Sequence, residues 1–233
     1  MTNVTDLQRQ LARVVLADRP LPDVLGEITR IGHDAIDAAE ASSITLIRGE
    51  RPTTAAYEGQ LARDAEQLQY DRGHGPCLDA GRAGLVFVIA DMRRDERWPD
   101  YARHASERGV GSSLSVPLPF QGATIGAFNS YATRPGAFTD DEVALGVEVA
   151  AWLAVAAGNG EAADRSATDA ENMRRAMASR ATIDQAKGIL MERYKIGDDA
   201  AFTVLSHASQ QHNVKLRDVA EHLVLTGEVL GAR

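Results

Sequence analysis

The sequence predicts an α+β protein in two parts, an antiparallel sheet with flanking helices followed by a bundle of three helices. Strand-like patterns of β-branched and aromatic residues cluster between residues 42 and 133. Helical patterns are grouped around these strands and do not alternate strictly with them, which favours an antiparallel sheet. A polar stretch at 158–172 then precedes three consecutive helical patterns.

Composition restricts the possible classes of protein. The 233 residues, 44% of them hydrophobic, suffice for two modest domains with their own cores. No apolar run reaches the roughly 18 residues of a membrane span and no signal pattern opens the chain, so we expect a cytoplasmic protein without a membrane partner. Cys77 is the single cysteine, which excludes internal disulfides and cysteine-rich zinc sites. His207 and His212 are five residues apart, the wrong spacing for shared ligation on a helix, so we expect no metal.

The first elements are a helix, two strands and a second helix. Apolar residues form a helical stripe in "LPDVLGEITRIGHDAID", at Val24, Leu25, Ile28, Ile31 and Ile36. The segments "SSITLIRGE" and "TTAAYEG" are typical of strands, and "LARDAEQLQYD" predicts the second helix.

A hairpin and a capped helix complete this first part. After the strand-like "LVFVIADM", the segments "SSLSVPLPF" and "ATIGAFNSYAT" flank Gln121 and Gly122, which predicts two strands joined by a tight turn. Thr139 with Glu142 three residues later forms a capping-box pattern, so we expect a helix from Thr139 to about Ala157.

The polar stretch divides the chain into proposed domains and also divides its charge. We place a first domain at 1–157 with its core at 20–157, a partly helical connector at 158–172 and a second domain at 173–233. Residues 1–164 carry 15 arginines, no lysine and 24 acidic residues, a net charge of −9. Residues 165–233 carry 10 basic and 9 acidic residues, a net charge of +1. The overall charge of −8 therefore hides a second part in which a basic face can form.

Three amphipathic helices are predicted in the second part. The first has a buried face that includes Ile183, Ala186 and Leu190, Asp198 is expected to cap the second, and the third runs through "LRDVAEHLV". Gly188 interrupts the first, where glycine costs about 1 kcal/mol relative to alanine. We interpret it as the point where another helix of the bundle crosses closely; a glycine that faces a ligand is the alternative.

The segments "YDRGHGPCLDA", "ADMRRDERWPDYA", "GVGSSLSVPL" and "GATIGAFNSYATRPGAFTDDEV" together resemble the GAF domain of actinobacterial regulators, over about residues 20–157. The resemblance implies a sensor domain with a pocket on one face of the sheet for an unidentified small molecule. Its candidate lining residues are Cys77, Phe87, Trp98, Tyr101, Phe128 and Tyr131. In a domain with so few aromatic residues, such side chains more often build the core, which is the alternative to a pocket. Cys77, at the start of a predicted helix, is either a reactive thiol or an inert buried one.

The segments "RATIDQAKGILMERY" and "DDAAFTVLSHASQQHNVKLRDVAEHLV" resemble the ANTAR family of RNA-binding antitermination domains, over about residues 170–228. The resemblance implies a homodimer that binds paired hairpins in a nascent leader transcript. The side chains expected to contact RNA are Lys187, which we expect to be free of partners, and Ser209, Asn213, Lys215 and Arg217. The expected dimer seam comprises Met173, Ala176, Met177, Ile183 and Leu190.

Two other classes of function are weighed against this one. Three short helices also suit a DNA-binding regulator with a ligand-sensing GAF domain. Some GAF folds reduce methionine sulfoxide, but that chemistry uses several cysteines, so we do not expect an enzyme.

Overall fold

The structure, a computed structural model, describes residues 4–15 and 19–230. They divide into two compact units, Met1–Ala162 and Ala163–Arg233, here called the N-terminal and C-terminal units. The helices are α1 (Val4–Val15), α2 (Leu21–Ala35), α3 (Gln60–Arg72), α4 (Pro76–Ala83), α5 (Pro99–Glu107), α6 (Asp140–Tyr194), α7 (Asp198–His212) and α8 (Leu216–Thr226), with a short 3-10 helix at Met92–Arg94. The strands are β1 (Ala41–Arg48), β2 (Arg51–Glu58), β3 (Phe87–Ile89), β4 (Ser112–Phe120) and β5 (Ala123–Ala132).

The five strands form one antiparallel sheet in the order β2-β1-β5-β4-β3. The predicted hairpin between β4 and β5 is confirmed. Its turn residues Gln121 and Gly122 have φ values of 49° and 81°, both positive, as a tight turn that matches the twist of the strands requires. The α+β class is confirmed with it.

Each face of the sheet has its own hydrophobic core. Helices α1 and α2 and the first part of α6 cover one face, with Ile28, Leu114 and Leu153 fully buried there. Helices α3, α4 and α5 cover the other face, where Ile89 and Tyr131 are fully buried. Because side chains alternate along a strand, neighbouring residues of β5 enter different cores.

Helix α6 starts as predicted but does not end near Ala157. The capping box is confirmed: the Thr139 amide donates to Glu142 Oε2 at 2.8 Å, and the Glu142 amide donates to Thr139 Oγ1 at 3.4 Å. The helix then continues to Tyr194, through the whole expected connector. Gly158 lies within this helix, and its missing side chain makes room for a neighbour: a Cβ there would lie 2.5 Å from the Phe120 ring.

The segment Asp140–Gly160 of α6 is long and apolar enough to cross a membrane by length and composition. One of its faces is packed against the sheet, with Val149, Leu153 and Ala154 fully buried. This burial is typical of a core helix. Two further helices, α1 and α5, were not predicted; both are short and contribute to the two cores through Leu11 and Tyr101.

The C-terminal unit is the predicted three-helix bundle. The last part of α6, α7 and α8 each contribute one apolar face to a common core. Its fully buried residues include Ala186, Leu190, Leu205, Val219 and Leu223. The core leaves the polar faces of the three helices and both turns exposed to solvent.

Candidate functional site

Lys187 is held in two ion pairs, contrary to the expectation that it is free. Its Nζ lies 2.7 Å from Asp198 Oδ1 and 3.2 Å from Asp184 Oδ1, and its side chain is only 15% exposed. The hydrogen bond that Lys187 donates to Asp198 is the main cause that raises the pKa of Lys187. Asp198 also differs from its expected role, since Gly197 is the cap residue and Asp198 is the first residue of α7. The pair therefore connects α6 to the start of α7.

Gly188 faces open space, so the predicted helix crossing is wrong within this unit. No atom among the described residues would lie within 4 Å of a Cβ at this position, apart from the helix's own backbone and chain neighbours. The glycine lies in a surface groove of about 750 Å³, whose other lining residues are Gln185, Ile189, Glu192, Arg193 and Val224. The described residues of the chain thus supply no close neighbour that explains the glycine.

The turn between α7 and α8 brings the other four candidates together. Ser209 Oγ donates to the Val214 carbonyl at 2.6 Å. Asn213 ends α7 in the left-handed conformation, with φ 52° and ψ 41°. Lys215 is at the cap position before α8, and Arg217 follows within the first turn. Ser209 therefore has a structural role through its hydroxyl and Asn213 through its backbone conformation.

The two cations of this turn differ in their partners. Arg217 Nε lies 2.9 Å from Asp218 Oδ1. Lys215 is exposed, and its side chain has no hydrogen bond or ion pair to any residue that the structure describes. Most other cations of the C-terminal unit have an acidic partner, including Lys195 with Glu192 at 2.6 Å. Lys215 is thus the candidate best placed to meet a phosphate.

In the N-terminal unit, a carboxylate is buried between the sheet and α3. Glu66 is fully buried and accepts three hydrogen bonds, from Ser43 Oγ at 2.7 Å, Thr45 Oγ1 at 3.0 Å and Tyr131 OH at 2.7 Å. A buried carboxylate is tolerated when several donors compensate its lost hydration. Burial, and next the charge of Glu66, raises the pKa of Tyr131 well above its usual value.

Four fully buried polar atoms next to Glu66 have no hydrogen-bond partner among the described residues. They are Tyr101 OH, Ser113 Oγ, Ser115 Oγ and Asn129 Oδ1. We call these four residues, together with Ser43, Thr45, Glu66 and Tyr131, the Glu66 cluster. Sequence reasoning identified two of its members, Tyr101 and Tyr131, and missed Glu66, Asn129 and the serines. Part of the signal was present, because "SSLS" places Ser113 and Ser115 at alternate positions of a buried strand.

The aromatic candidates occupy both faces of the sheet. Phe87 and Trp98 pack edge to face at 5.2 Å, in the same core as Tyr101 and Tyr131. Phe128 lies in the opposite core, so the prediction that it lines a common pocket is corrected. The reason is strand alternation, since Phe128 and Tyr131 are three residues apart on β5 and point to different faces.

Cys77 is a buried thiol in this structure. It is fully buried, and Asn129 Nδ2 donates to its Sγ at 3.2 Å. Burial, and next the charge of Glu66, raises the pKa of Cys77 well above its usual value. These effects outweigh the helix dipole at the start of α4, so the alternative of a reactive thiolate is not supported. No three His, Cys, Asp or Glu side chains converge on a possible metal position in the described ranges.

Comparison with family models finds both domains in one chain. A GAF domain model matches residues 18–156, and an ANTAR domain model matches residues 171–224. Together these matches cover most of both units. No curated protein matches the chain.

Solved structures similar to the chain share the GAF fold. The GAF domain of the Acinetobacter phosphoenolpyruvate-protein phosphotransferase is 20% identical, covers 70% of this chain and 97% of its own, and has a TM-score of 0.56. The corresponding domain from Coxiella burnetii gives the same four values. The free methionine-R-sulfoxide reductase of Neisseria meningitidis is 18% identical, covers 69% of this chain and 91% of its own, and has a TM-score of 0.55. At these identities the likeness concerns the fold alone.

Proposed function

Because this chain belongs to the GAF domain family and carries an ANTAR domain after its GAF domain, we propose that it is a signal-responsive antitermination regulator. The ANTAR domain binds paired hairpins in nascent RNA, and the GAF domain controls this binding. The protein acts in the cytoplasm by binding, without catalysing a reaction. A small molecule at the GAF domain is its signal.

The observation that carries the proposal is the ANTAR match over 171–224, combined with what the α7–α8 turn exposes. The Lys215 side chain has no partner among the described residues, and Arg217 lies two positions further on. RNA hairpins present phosphates and unpaired bases, which cations and short polar side chains contact. Asn213 and Ser209 reinforce the turn that presents these cations. Lys187 contributes by stabilising the α6–α7 junction.

We further propose that the regulator is a homodimer. Met173 and Met177 are 65% and 67% exposed on α6, four residues apart and on one face. Ala176 is also exposed, whereas Leu190 is fully buried and Ile183 packs against the same core of the C-terminal unit. Ile183 and Leu190 are therefore removed from the expected seam. Met173 and Met177 remain as its apolar centre.

A gel-shift titration of the full chain tests the function. The ligands are an RNA of two hairpins and a DNA duplex of equal length, each at several salt concentrations. We expect binding to the RNA with an affinity that falls steeply with salt, because each phosphate contact releases counterions. Preferential binding to the duplex would instead support the DNA-binding regulator, and a flat salt response would contradict a basic RNA face.

Lys215→Ala should weaken RNA binding and reduce the salt slope by about one contact. Lys195→Asn is a matched control, since it removes one positive charge at the other turn and suits the left-handed conformation of that residue, φ 52°. Equal effects of both variants would show that the net charge matters and that the α7–α8 turn does not.

A further inference from the structure

Three of the four unpartnered atoms of the Glu66 cluster, on Ser113, Ser115 and Asn129, lie in two adjacent rows across the sheet, and Tyr101 of α5 is buried in the core that covers this face. Asn129 on β5 is paired with Ser43 on β1 and with Ser115 on β4, and Tyr131 is paired with Ser113 in the next row. All of these residues face α3 and α4, on the side that contains Glu66. The four unpartnered atoms and the carboxylate therefore belong to one continuous polar surface inside the domain.

An unpartnered buried polar atom costs free energy, commonly about 1–3 kcal/mol. Four of them on one surface indicate that the domain keeps this surface for something other than its own stability. An apolar residue in place of Ser113 or Ser115 would make the fold more stable, because no buried hydroxyl would be left without a partner. The surface thus has the properties of a binding site.

The chemistry of the surface selects the ligand. Asn129 Oδ1 can only accept hydrogen bonds, whereas the hydroxyls of Tyr101, Ser113 and Ser115 can either accept or donate. A fitting ligand therefore donates at least the hydrogen bond that Asn129 Oδ1 needs, and the hydroxyls can rotate to accept further donors. The cluster contains one acidic side chain and no Lys, Arg or His, so it suits a cation and disfavours an anion. One carboxylate is too few for a divalent metal.

We infer that the Glu66 cluster binds a small primary ammonium compound. An ammonium group has three N–H donors for the amide and hydroxyl oxygens, and the charge of Glu66 balances its own. The rings of Tyr101 and Tyr131 add faces that attract a cation once water is excluded. This inference rests on the proposed sensor function and assigns a chemical class to its signal.

Tyr70 connects the cluster to the surface. Its hydroxyl is hydrogen-bonded to Thr45 Oγ1 and to Thr54 Oγ1, each at 2.8 Å. Thr45 belongs to the Glu66 cluster, and Thr54 and Tyr70 line a surface groove of about 490 Å³ beside Arg63 and Gln67. Rotation of Tyr70 breaks two hydrogen bonds and opens a path from the groove to Glu66. The ligand enters at this edge of the sheet.

The test measures thermal unfolding of the full chain by tryptophan fluorescence. Trp98 and Trp152 are the two tryptophans, and both lie in the N-terminal unit, so the signal follows the GAF domain. The probes are methylammonium, ethylammonium and ethanolammonium chloride, with sodium chloride and potassium chloride at equal ionic strength. We expect at least one ammonium salt to raise the Tm in a saturable manner, with no such effect from the alkali salts. Absence of a saturable shift with all three, or an equal shift with potassium, would overturn the inference.

Two serine variants of β4 provide the matched comparison. Ser115→Ala removes an unpartnered hydroxyl, so it should preserve or raise the Tm without ligand and weaken ammonium binding several-fold. Ser112→Ala removes a hydroxyl that donates to the Arg134 carbonyl at 2.8 Å, so it should lower the Tm and leave ammonium affinity unchanged. Glu66→Gln should abolish the shift; if that variant does not fold, the serine pair still decides. Equal ammonium affinities of the two serine variants would contradict the assignment.

RNA binding in the same samples separates the two proposals. RNA binding without any ammonium effect would overturn the ligand class and leave the antitermination function standing. An ammonium effect without RNA binding would overturn the antitermination function and leave the ligand class standing.

Discussion

Gly188 lies inside helix α6, and only proline is less favourable than glycine in a helix interior. The residue is on an exposed face, where alanine would fit. A glycine near a tight crossing is explained by that crossing, but no such contact exists among the described residues. The sequence pattern correctly placed the glycine within a helix. It did not show what the glycine faces, because a period of 3.6 residues identifies the buried stripe and says little about partners on the other faces.

Gly188→Ala should therefore stabilise the C-terminal unit by about 1 kcal/mol, because alanine restricts the unfolded chain and no neighbour is displaced. Chemical denaturation of the full chain, followed by far-UV circular dichroism, would measure the change. Ala181→Gly is the matched control in the same helix, at an exposed position, and should lower stability by a similar amount. Reduced stability of Gly188→Ala would instead support a close helix crossing at this position. Raised stability with lost RNA binding or dimerisation would show that a partner approaches the glycine.

Lys187→Ala should lower the Tm of the C-terminal unit, because Asp198 loses the ammonium group that ties the start of α7 to α6. Asp198→Ala should have a similar effect, and the double variant should be little worse than either single one. The partners raise the pKa of Lys187, so its contribution is complete below the ordinary lysine value of 10.5 and is lost as pH rises through the raised folded value. Circular dichroism melts at neutral and strongly alkaline pH would measure both effects. If Lys187→Ala has an unchanged Tm but binds RNA more weakly, Lys187 contacts RNA and does not stabilise the α6–α7 junction.

Among the elements, the turn between α7 and α8 combines a structural task with a candidate binding surface. Asn213 ends α7 with a positive φ, a conformation that costs most non-glycine residues about 1 kcal/mol or more. Its amide group is at the same time a candidate RNA contact. Substitution by two different small residues distinguishes the tasks.

Asn213→Gly should keep the stability of the bundle, since glycine accepts the left-handed conformation, whereas Asn213→Ala should lower it by about 1 kcal/mol. Both variants lack the amide. If this group contacts RNA, both should bind more weakly under conditions where they are fully folded. Calorimetric melts and gel shifts on the same preparations would give the two quantities. Full RNA affinity of Asn213→Gly would assign the residue to the cap alone.

Elements with strong local signals were predicted well, and those that depend on packing were not. The hairpin at Gln121-Gly122 and the cap at Thr139 rest on the conformations of a few neighbouring residues. The packing of Phe120 against Gly158 of α6 joins residues that are distant in sequence, and a local pattern does not contain it. The placement of Phe128 follows instead from strand alternation on β5, which the sequence did contain and which the prediction of a common pocket overlooked.

For the whole molecule, the two units differ in how far the sequence revealed their sites. The ANTAR resemblance led to the candidates of the α7–α8 turn, which lie close together in sequence, between Ser209 and Arg217. The Glu66 cluster combines α3 with β1, β4, β5 and α5, so its members are scattered over about 90 positions between Ser43 and Tyr131. Aromatic candidates attract attention in a sequence, whereas a glutamate and single serines do not. The structure was required to bring them together.

Met173 and Met177 offer a test of the assembly. Replacing both by Gln should shift the full chain from dimer to monomer, because the seam loses its apolar contacts. Replacing both by Leu keeps the seam apolar and should preserve the dimer. Light scattering at several protein concentrations would measure the mass of each variant. A dimer that persists with Gln at both positions would place the interface elsewhere.

The burial of Cys77 offers a way to measure how often helix α4 separates from the sheet. The thiol lies beneath α4 with no exposed surface, and it is the single cysteine of the chain. A maleimide reagent can label it only during moments when α4 separates from the sheet. The labelling rate can be followed by mass spectrometry on the unaltered protein. It depends on how often the open state forms, so it reports the free energy of opening in the GAF domain. Any molecule that binds inside the domain should lower the rate of Cys77 labelling, whether or not its identity is known.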